Sequence, residues 1–241
     1  MQRGMLSRES LEALRDLAAL LSVAWDVPTQ RLIDGLLSGG FQEDLIACLD
    51  EVKAPAGVRK AGYCCADSLE EFYGRLSSSP HQLLEELLTD YTVMFDVPDN
   101  VDIWPLESQH RDRTPGSKGV PLFISTSAVN VKALFNQAQV SLPENEPPDH
   151  VAREFDFLTY CLDQELNEHS DTERWMSFRH RIGTEHIARW VSVWAAEVEE
   201  NASTCFYRAL ASFTRHVVDS GVLWAGTMSS LVGRHLPLFS R

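Results

Sequence analysis

The most informative stretch of the chain is residues 145–158, which read NEPPDHVAREFDFL. Two prolines followed by Asp149 are typical of a helix start, because proline suits the first turn and a short polar side chain can cap free backbone N–H groups. The apolar residues that follow keep a helical spacing: Val151, Phe155, Leu158, Leu162 and Leu166. This periodicity predicts an amphipathic helix that begins close to the Asp149-His150 pair.

Helical periodicity continues over most of the chain. Apolar residues recur at three- and four-residue steps from Leu11 to Leu21, and Asp26-Val27-Pro28 predicts the end of that helix. Capping boxes at Ser68 and Ser79 predict two further helix starts. Beyond the first helix, the pattern predicts helices near residues 31–37, 41–50, 68–76, 80–95, 175–194 and 200–218. Strand signals are weak, with residues 120–126 the best candidate, so the sequence predicts an all-α fold.

Two segments lack helical character. Residues 98–122 contain four prolines and two glycines, which predicts a long loop, and a loop of that length is often functional. Residues 141–148 hold three prolines among acidic residues, which predicts a rigid, acidic hinge. We expect one domain over residues 1–241, either as a monomer or as a homodimer that swaps elements through this hinge.

Composition excludes several classes of protein. The 241 residues carry 21 Lys and Arg against 35 Asp and Glu, a formal net charge of −14. This acidity argues against a nucleic-acid partner, which needs a basic footprint on the phosphates. The 44% content of hydrophobic residues argues against an intrinsically disordered chain.

Compartment signals point to the cytoplasm. The N-terminal residues show no uninterrupted apolar region of the kind that a signal peptide needs, and no run of about 18 apolar residues could span a bilayer. The five cysteines form no C-x-x-C motif, which is typical of reduced cysteines. We therefore expect a cytoplasmic protein without stable membrane insertion.

Motifs for catalysis or metal binding are missing from the sequence. It contains no H-E-x-x-H, G-x-S-x-G or phosphate-loop pattern, and its single Glu-x-x-His match, Glu107 to His110, lies in the proline-flanked loop. We expect no enzymatic activity, no metal and no cofactor.

Charge is distributed unevenly along the chain. Residues 141–173 contain ten acidic residues against one basic residue, Arg153, whereas residues 174–241 contain eight arginines against five acids. One interpretation is a solvated acidic helix beside an Arg-rich one. The other is an electrostatic trap for a basic peptide.

Several of these segments resemble one family, the TorD/DmsD/NarJ chaperones that mature molybdenum enzymes. The stretch 145–158 is similar to the family's E-P-x-D-H signature, and Glu107-Ser108 completes a P-x-E-S element. His110 stands where the family usually has an aromatic residue. Further similar elements, in the family's order, are residues 90–98, Phe178 with His186 and Trp190, and, as in the DmsD branch, residues 205–210 and 237–239.

The resemblance implies a function as well as a fold. It implies a single all-helical domain that binds the twin-arginine leader of the catalytic subunit of a molybdopterin oxidoreductase. The chaperone holds this client until its cofactor is inserted and export proceeds, and it catalyses no reaction. One alternative is a NarJ-like assembly factor that acts on a mature, non-exported subunit, and another is a guanine-nucleotide hydrolase.

The resemblance also assigns client-binding residues. Asp149 either pairs with a leader arginine or caps a helix. His150 is either a packed core histidine or a pH-sensitive contact. Tyr91 and Phe95 lie four residues apart on one helix face and are either groove aromatics or core residues. The full predicted set is Asp149, His150, Tyr91, Phe95, Glu107, Ser108, Pro148 and Glu154.

Overall fold

The computed structural model describes residues 6–75, 79–95, 103–113, 124–142, 146–167 and 170–225. Throughout these ranges the fold is all-α, as predicted, and contains no strand beyond one isolated bridge. The helices are α1 Arg8–Trp25, α2 Gln30–Ser38, α3 Gly40–Glu51, α4 Ala56–Arg75, α5 Pro80–Phe95, α6 Glu107–Arg111, α7 Thr126–Ala138, α8 Val151–Leu166, α9 Thr172–Arg181, α10 Ala188–Asn201 and α11 Cys205–Ser220. A π-helical segment, Ile182–Ile187, joins α9 to α10.

The core lies between α1, α8, α10, α11 and α4, which make the most extensive helix contacts. Aromatic residues fill its centre. The Trp25 ring meets the Trp194 ring edge-on at 4.5 Å between centroids and stacks on Tyr207 at 6.0 Å. The indole N–H of Trp25 donates to Oγ1 of Thr214 at 3.0 Å, so the one polar atom of this buried ring is satisfied. None of the helices that the structure describes is long and apolar enough to cross a membrane.

The predicted helix start at Ser68 is wrong, because α4 begins at Ala56 and passes through this position. The Ser68 hydroxyl donates to the Cys64 carbonyl one turn earlier at 2.7 Å, an alternative open to serine inside a helix. Packing of Val58 and Leu69 against the core overrides the local signal. The signal at Ser79 is confirmed: its Oγ accepts from the Gln82 N–H at 3.3 Å and its own N–H donates to the Gln82 side chain at 2.9 Å.

The predicted loop and hinge are only partly described. Within residues 98–122, the segment from Glu107 to Arg111 is helical rather than loop. The strand candidate at residues 120–126 is wrong at its end, because Thr126 begins α7, and residues 120–123 lie outside the described residues. Residues 143–145 of the hinge also lie outside them, so the hinge stays a prediction.

The break between α10 and α11 corrects the predicted helix at 200–218. Asp90 of α5 is 3% exposed and its carboxylate accepts four hydrogen bonds at this break. Its Oδ1 accepts from the N–H and hydroxyl of Ser203 at 3.1 and 2.7 Å, and its Oδ2 accepts from the same groups of Thr204 at 2.8 and 2.7 Å. Thr204 in turn caps α11, so Asp90 fixes where the last helix starts.

The π-helical segment is held against the end of the described chain. Gly183 has no side chain where a Cβ would lie 2.5 Å from the Trp224 ring, so the ring packs directly on the segment. One turn earlier, the buried Arg179 guanidinium binds both carboxylate oxygens of Glu165 at 2.6 and 3.0 Å and donates to the Leu223 carbonyl at 3.1 Å. A widened helical turn is often found at functional sites.

Replacing Asp90 by alanine tests this architecture. We expect Asp90→Ala to lower the free energy of unfolding by about 3 kcal/mol, because it leaves the N–H of the buried Thr204 without an acceptor and removes the hydrogen bonds to Ser203. Urea unfolding followed by circular dichroism measures the loss. The control is Asp67→Ala on the exposed face of α4, which should change stability by about 0.5 kcal/mol or less. Equal losses in the two variants would contradict the capping role of Asp90.

Candidate functional site

The two proline-containing motif segments lie side by side in the structure. Leu106 and His150 form an isolated antiparallel bridge. The Glu107 N–H donates to the Asp149 carbonyl at 3.0 Å, and the Val151 N–H donates to the Pro105 carbonyl at 2.9 Å. We call residues 105–108 and 148–151 the junction. It brings the starts of α6 and α8 together.

Asp149 caps a helix, although not the one that its position suggested. Its Oδ2 accepts from the Ser108 N–H at 2.8 Å, at the start of α6, where Leu106 offers no capping side chain. The start of α8 is capped instead by Nδ1 of His150, which accepts from the Ala152 N–H at 3.2 Å. Asp149 is 1% exposed, and burial raises the pKa of its carboxyl while hydrogen bonds from Ser108 oppose that shift.

A buried ion cluster lies directly beneath the junction. Glu107 is fully buried, and its Oε2 lies 2.8 Å from Nδ1 of His186 in the π-helical segment. Its other oxygen accepts from the guanidinium of Arg111, which also donates to the Glu185 carbonyl at 2.9 Å. The cluster therefore ties α6 to the π-helical segment.

Glu154 of α8 completes this cluster. It is fully buried, and the Trp190 indole N–H donates to its Oε2 at 3.1 Å. Burial raises the pKa of Glu154 well above its usual value and the neighbouring Glu107 carboxylate raises it further, while the Trp190 hydrogen bond opposes the shift. The environment thus favours the neutral acid at Glu154.

Glu107, Glu154 and His186 could together offer ligands to a metal ion, since their donor atoms lie within 4.8 Å of one another. The Arg111 guanidinium and the Trp190 N–H already occupy carboxylate oxygens of this group. A divalent cation would also have to share Glu107 with the Arg111 charge. The arrangement therefore works first as a set of hydrogen bonds that join α6 to the π-helical segment and α8 to α10.

The predicted aromatics belong to the core. Tyr91 and Phe95 are 4% and 3% exposed, and their rings meet edge-on at 4.9 Å. Phe95 packs on Trp194 and Tyr207 at 5.9 and 6.1 Å. Tyr91 reaches the junction through its hydroxyl, 3.5 Å from Nε2 of His150. Phe95 has no polar side-chain atom with which to make such a link.

The structure brings together most of the predicted client-binding residues. Asp149, His150, Pro148, Glu107 and Ser108 form the junction, with Glu154 beneath it and Tyr91 beside it. His150 is partly exposed, and the other seven of the eight predicted residues are buried. Their contact with a client stays a prediction, since a partner could reach most of them only if the junction opened.

Sequence reasoning left two members of the cluster, Arg111 and His186, out of the predicted site and predicted only part of the role of a third, Trp190. Arg111 lies four residues after Glu107, on the same helix face, whereas His186 is 79 residues from Glu107 and only the fold brings the two together. Trp190 is a core residue, as its helical spacing predicted, but its N–H also serves Glu154. The departure at His110 has a simple explanation: its imidazole stacks on the Trp190 ring at 5.4 Å, as an aromatic ring would.

The acidic segment 141–173 does not form one continuous exposed patch among its described residues. Asp149, Glu154 and Glu165 are buried. Arg153 forms ion pairs with Asp26 of α1 and, from the acidic segment itself, with Glu146 and Asp156. Much of the excess negative charge of this segment is therefore buried or paired with Arg153.

Both motif segments of the junction lie in the part of the chain that matches a known family. A family model described as nitrate reductase delta subunit matches residues 57–196, more than half of the chain. The chain therefore belongs to this family, whose members act as chaperones and assembly factors for molybdenum enzymes rather than as catalysts. No curated protein matches the chain significantly.

Glu107 and Glu154 should respond differently to neutralisation. Glu107→Gln removes the carboxylate that Arg111 and His186 share, and we expect it to lower the free energy of unfolding by about 3 kcal/mol. Glu154→Gln mimics the neutral acid and keeps an acceptor for Trp190, so we expect a change of about 1 kcal/mol or less. Parallel urea titrations compare the two variants. A larger loss in Glu154→Gln than in Glu107→Gln would contradict the neutral form of Glu154.

His150 should make stability depend on pH. Burial lowers the pKa of its imidazole from 6.5 to about 4, with Asp26 opposing that shift and Arg153 adding to it. The unfolded chain therefore binds the proton more readily. Stability is fully present above pH 6.5 and falls as the pH falls toward about 4, by roughly 2 kcal/mol from this group.

The variant His150→Asn isolates this contribution, because asparagine also caps helices but does not titrate. We expect its unfolding free energy, measured by urea titration from pH 7.5 to pH 4, to fall less steeply than that of the wild type. Identical pH dependence in the two proteins would exclude His150 as the titrating group.

Proposed function

We propose that this protein is a cytoplasmic chaperone that binds the twin-arginine leader of a molybdenum-containing oxidoreductase subunit. It holds the catalytic subunit until the cofactor is inserted and export proceeds. The observation that carries this proposal is the family match over residues 57–196, within which both motif segments of the junction lie. The acidity of the chain supports it, since a leader with two arginines is a basic ligand.

In this proposal, the predicted client-binding residues mainly stabilise the fold through internal contacts. Asp149 and Glu107 use their carboxylates on α6, Arg111 and the π-helical segment, so a leader arginine would compete with these internal partners. His150, which is partly exposed, is the junction residue best placed to meet a client directly. The proposal keeps one domain over residues 1–241, as a monomer or a swapped homodimer.

The family description favours a second function. A nitrate reductase delta subunit is named for a reductase, which supports an assembly factor that acts on a mature, non-exported catalytic subunit. Such a factor would recognise the folded or folding subunit without a leader. The two functions share a class of client and differ in the part of the client that is bound.

Calorimetry with synthetic leaders tests the first function. We expect binding to a leader with two consecutive arginines and an apolar stretch, at an affinity that weakens as salt rises. Replacing both arginines by glutamine should weaken binding by about tenfold or more, because charge-assisted pairs are lost. Leaders from several molybdenum reductases serve as ligands, and a peptide of the same composition in scrambled order serves as the control.

A pull-down with the catalytic subunit separates the two functions. The leader-binding chaperone should lose most of its capture when the leader is deleted, whereas the assembly factor should keep it. Absence of binding to every leader, together with undiminished capture of the leaderless subunit, would overturn the first function in favour of the second.

A further inference from the structure

An open groove runs between α1 and α3, on a different part of the surface from the junction. Its volume is about 760 Å³, and α2 contributes residues to one side. None of the eight predicted client-binding residues lines it. Three other grooves on the surface measure about 480, 480 and 280 Å³.

The floor of the groove is apolar and partly open to solvent. Val23 of α1 is 44% exposed, and Leu20 beside it is partly buried. Deeper in the floor, Leu32 and Phe41 are 3% and 6% exposed and belong to the core. An apolar side chain that entered the groove would therefore continue the core outward, with a favourable gain from buried surface.

Carboxylates surround this floor. Five acidic residues face one arginine, Arg31, along the lining: Glu9, Glu12 and Asp16 from α1, and Asp44 and Glu51 from α3. Their spacings of three, four and seven residues place each set on one helix face.

Three of these acids are available to a partner. Glu12 pairs with Arg8, and Asp16 pairs with Arg15. Glu9, Asp44 and Glu51 make no ion pair within the part of the chain that the structure describes. Hydrogen bonds from its own backbone and from the Ser7 hydroxyl lower the pKa of Glu9, so this residue is an anion at neutral pH.

The thiol of Cys48 reports the negative field of the groove. Cys48 lies in the floor and is 7% exposed. Burial raises its pKa to about 12, and the carboxylates of Asp16 and Asp44 contribute to that rise, while Arg15 opposes it. Charges from both walls of the groove therefore act on the same point in its floor.

We propose that the α1–α3 groove is the docking site for the twin-arginine leader, with the arginines on the carboxylate rim and the apolar stretch on the floor around Val23. The inference rests on the proposed function and adds to it the place of binding. A leader offers positive charge to the carboxylate rim and an apolar stretch to the apolar floor, and arginine matches carboxylate geometry closely. A second copy of the chain is a poorer occupant, because each copy carries a net charge of −14.

A pair of matched variants tests the rim. Asp44→Asn with Glu51→Gln removes two exposed carboxylates from the groove, and Asp67→Asn with Glu70→Gln removes two exposed carboxylates from α4, outside it. Both double variants change the net charge equally. We expect the groove variant to bind a synthetic leader about fivefold more weakly in calorimetry and the control to change affinity by about twofold or less.

Salt dependence gives a second readout from the same variants. Screening weakens exposed charge pairs, so the groove variant should respond less to added salt than the wild type, whereas the α4 control should respond as the wild type does. A mere loss of folding would weaken binding at every salt concentration, and circular dichroism of each variant excludes it.

Cross-linking locates the bound peptide directly. A benzophenone amino acid at Val23 should cross-link the leader, and the same group at Val129, which is 49% exposed on α7, should not.

If the wild type binds the leader but the rim variants match each other and Val129 cross-links as well as Val23, the inference is overturned while the proposed function stands. If Val23 cross-links a second copy of the chain instead, the groove is a dimer interface and the inference is wrong. If the wild type binds no leader, the proposed function falls, and the inference falls with it.

Discussion

Helix N-termini expose backbone N–H groups that need acceptors, and in this protein buried aspartates supply them from distant parts of the chain. Asp149 accepts from the Ser108 N–H at the start of α6, and Asp90 accepts from the N–H groups that precede α11. Each contact joins two segments that are far apart in the sequence. Because α6 has five residues and no capping side chain of its own, its position depends on Asp149. The placement of Glu107 beneath the junction follows from that one carboxylate.

The acidic residues of the family motifs are buried, and they stabilise the structure through internal partners. Glu107, Asp149 and Glu154 are 0–1% exposed, and their oxygens serve Arg111, His186, Ser108 and Trp190. A buried carboxylate that lost its partner would cost several kcal/mol, so these groups act together. A sequence signature of this kind identifies a fold reliably while saying little about which surface meets a client. The recognition surface is then to be sought among exposed groups whose charges are not already paired.

Sequence predicted the class of fold and most helix positions, because helical spacing and capping residues are local signals. The first helix ends at Asp26 as expected, and Ser79 forms its capping box. The same signal at Ser68 gave a wrong prediction, because Leu69 is buried in the core and α4 continues through that position. The candidate site was predicted as a set of residues but not as an arrangement. The bridge between Leu106 and His150, and the reach of His186 to Glu107, are tertiary contacts that no spacing along the chain encodes.

The distribution of acidic residues shows most clearly why counting charges along the sequence does not locate a charged surface. Residues 141–173 hold the densest run of acids, yet Glu154 and Glu165 of α8 are buried, and Glu146 and Asp156 pair with Arg153. The α1–α3 groove collects its carboxylates from two helices, so no single stretch of sequence looks exceptional. Its negative field persists because Asp44 and Glu51 face solvent without a paired cation in the described chain, beside an apolar floor that the core leaves uncovered. A basic, partly apolar peptide requires unpaired negative charge next to exposed apolar surface. In this groove the fold creates that combination because separate helices meet there.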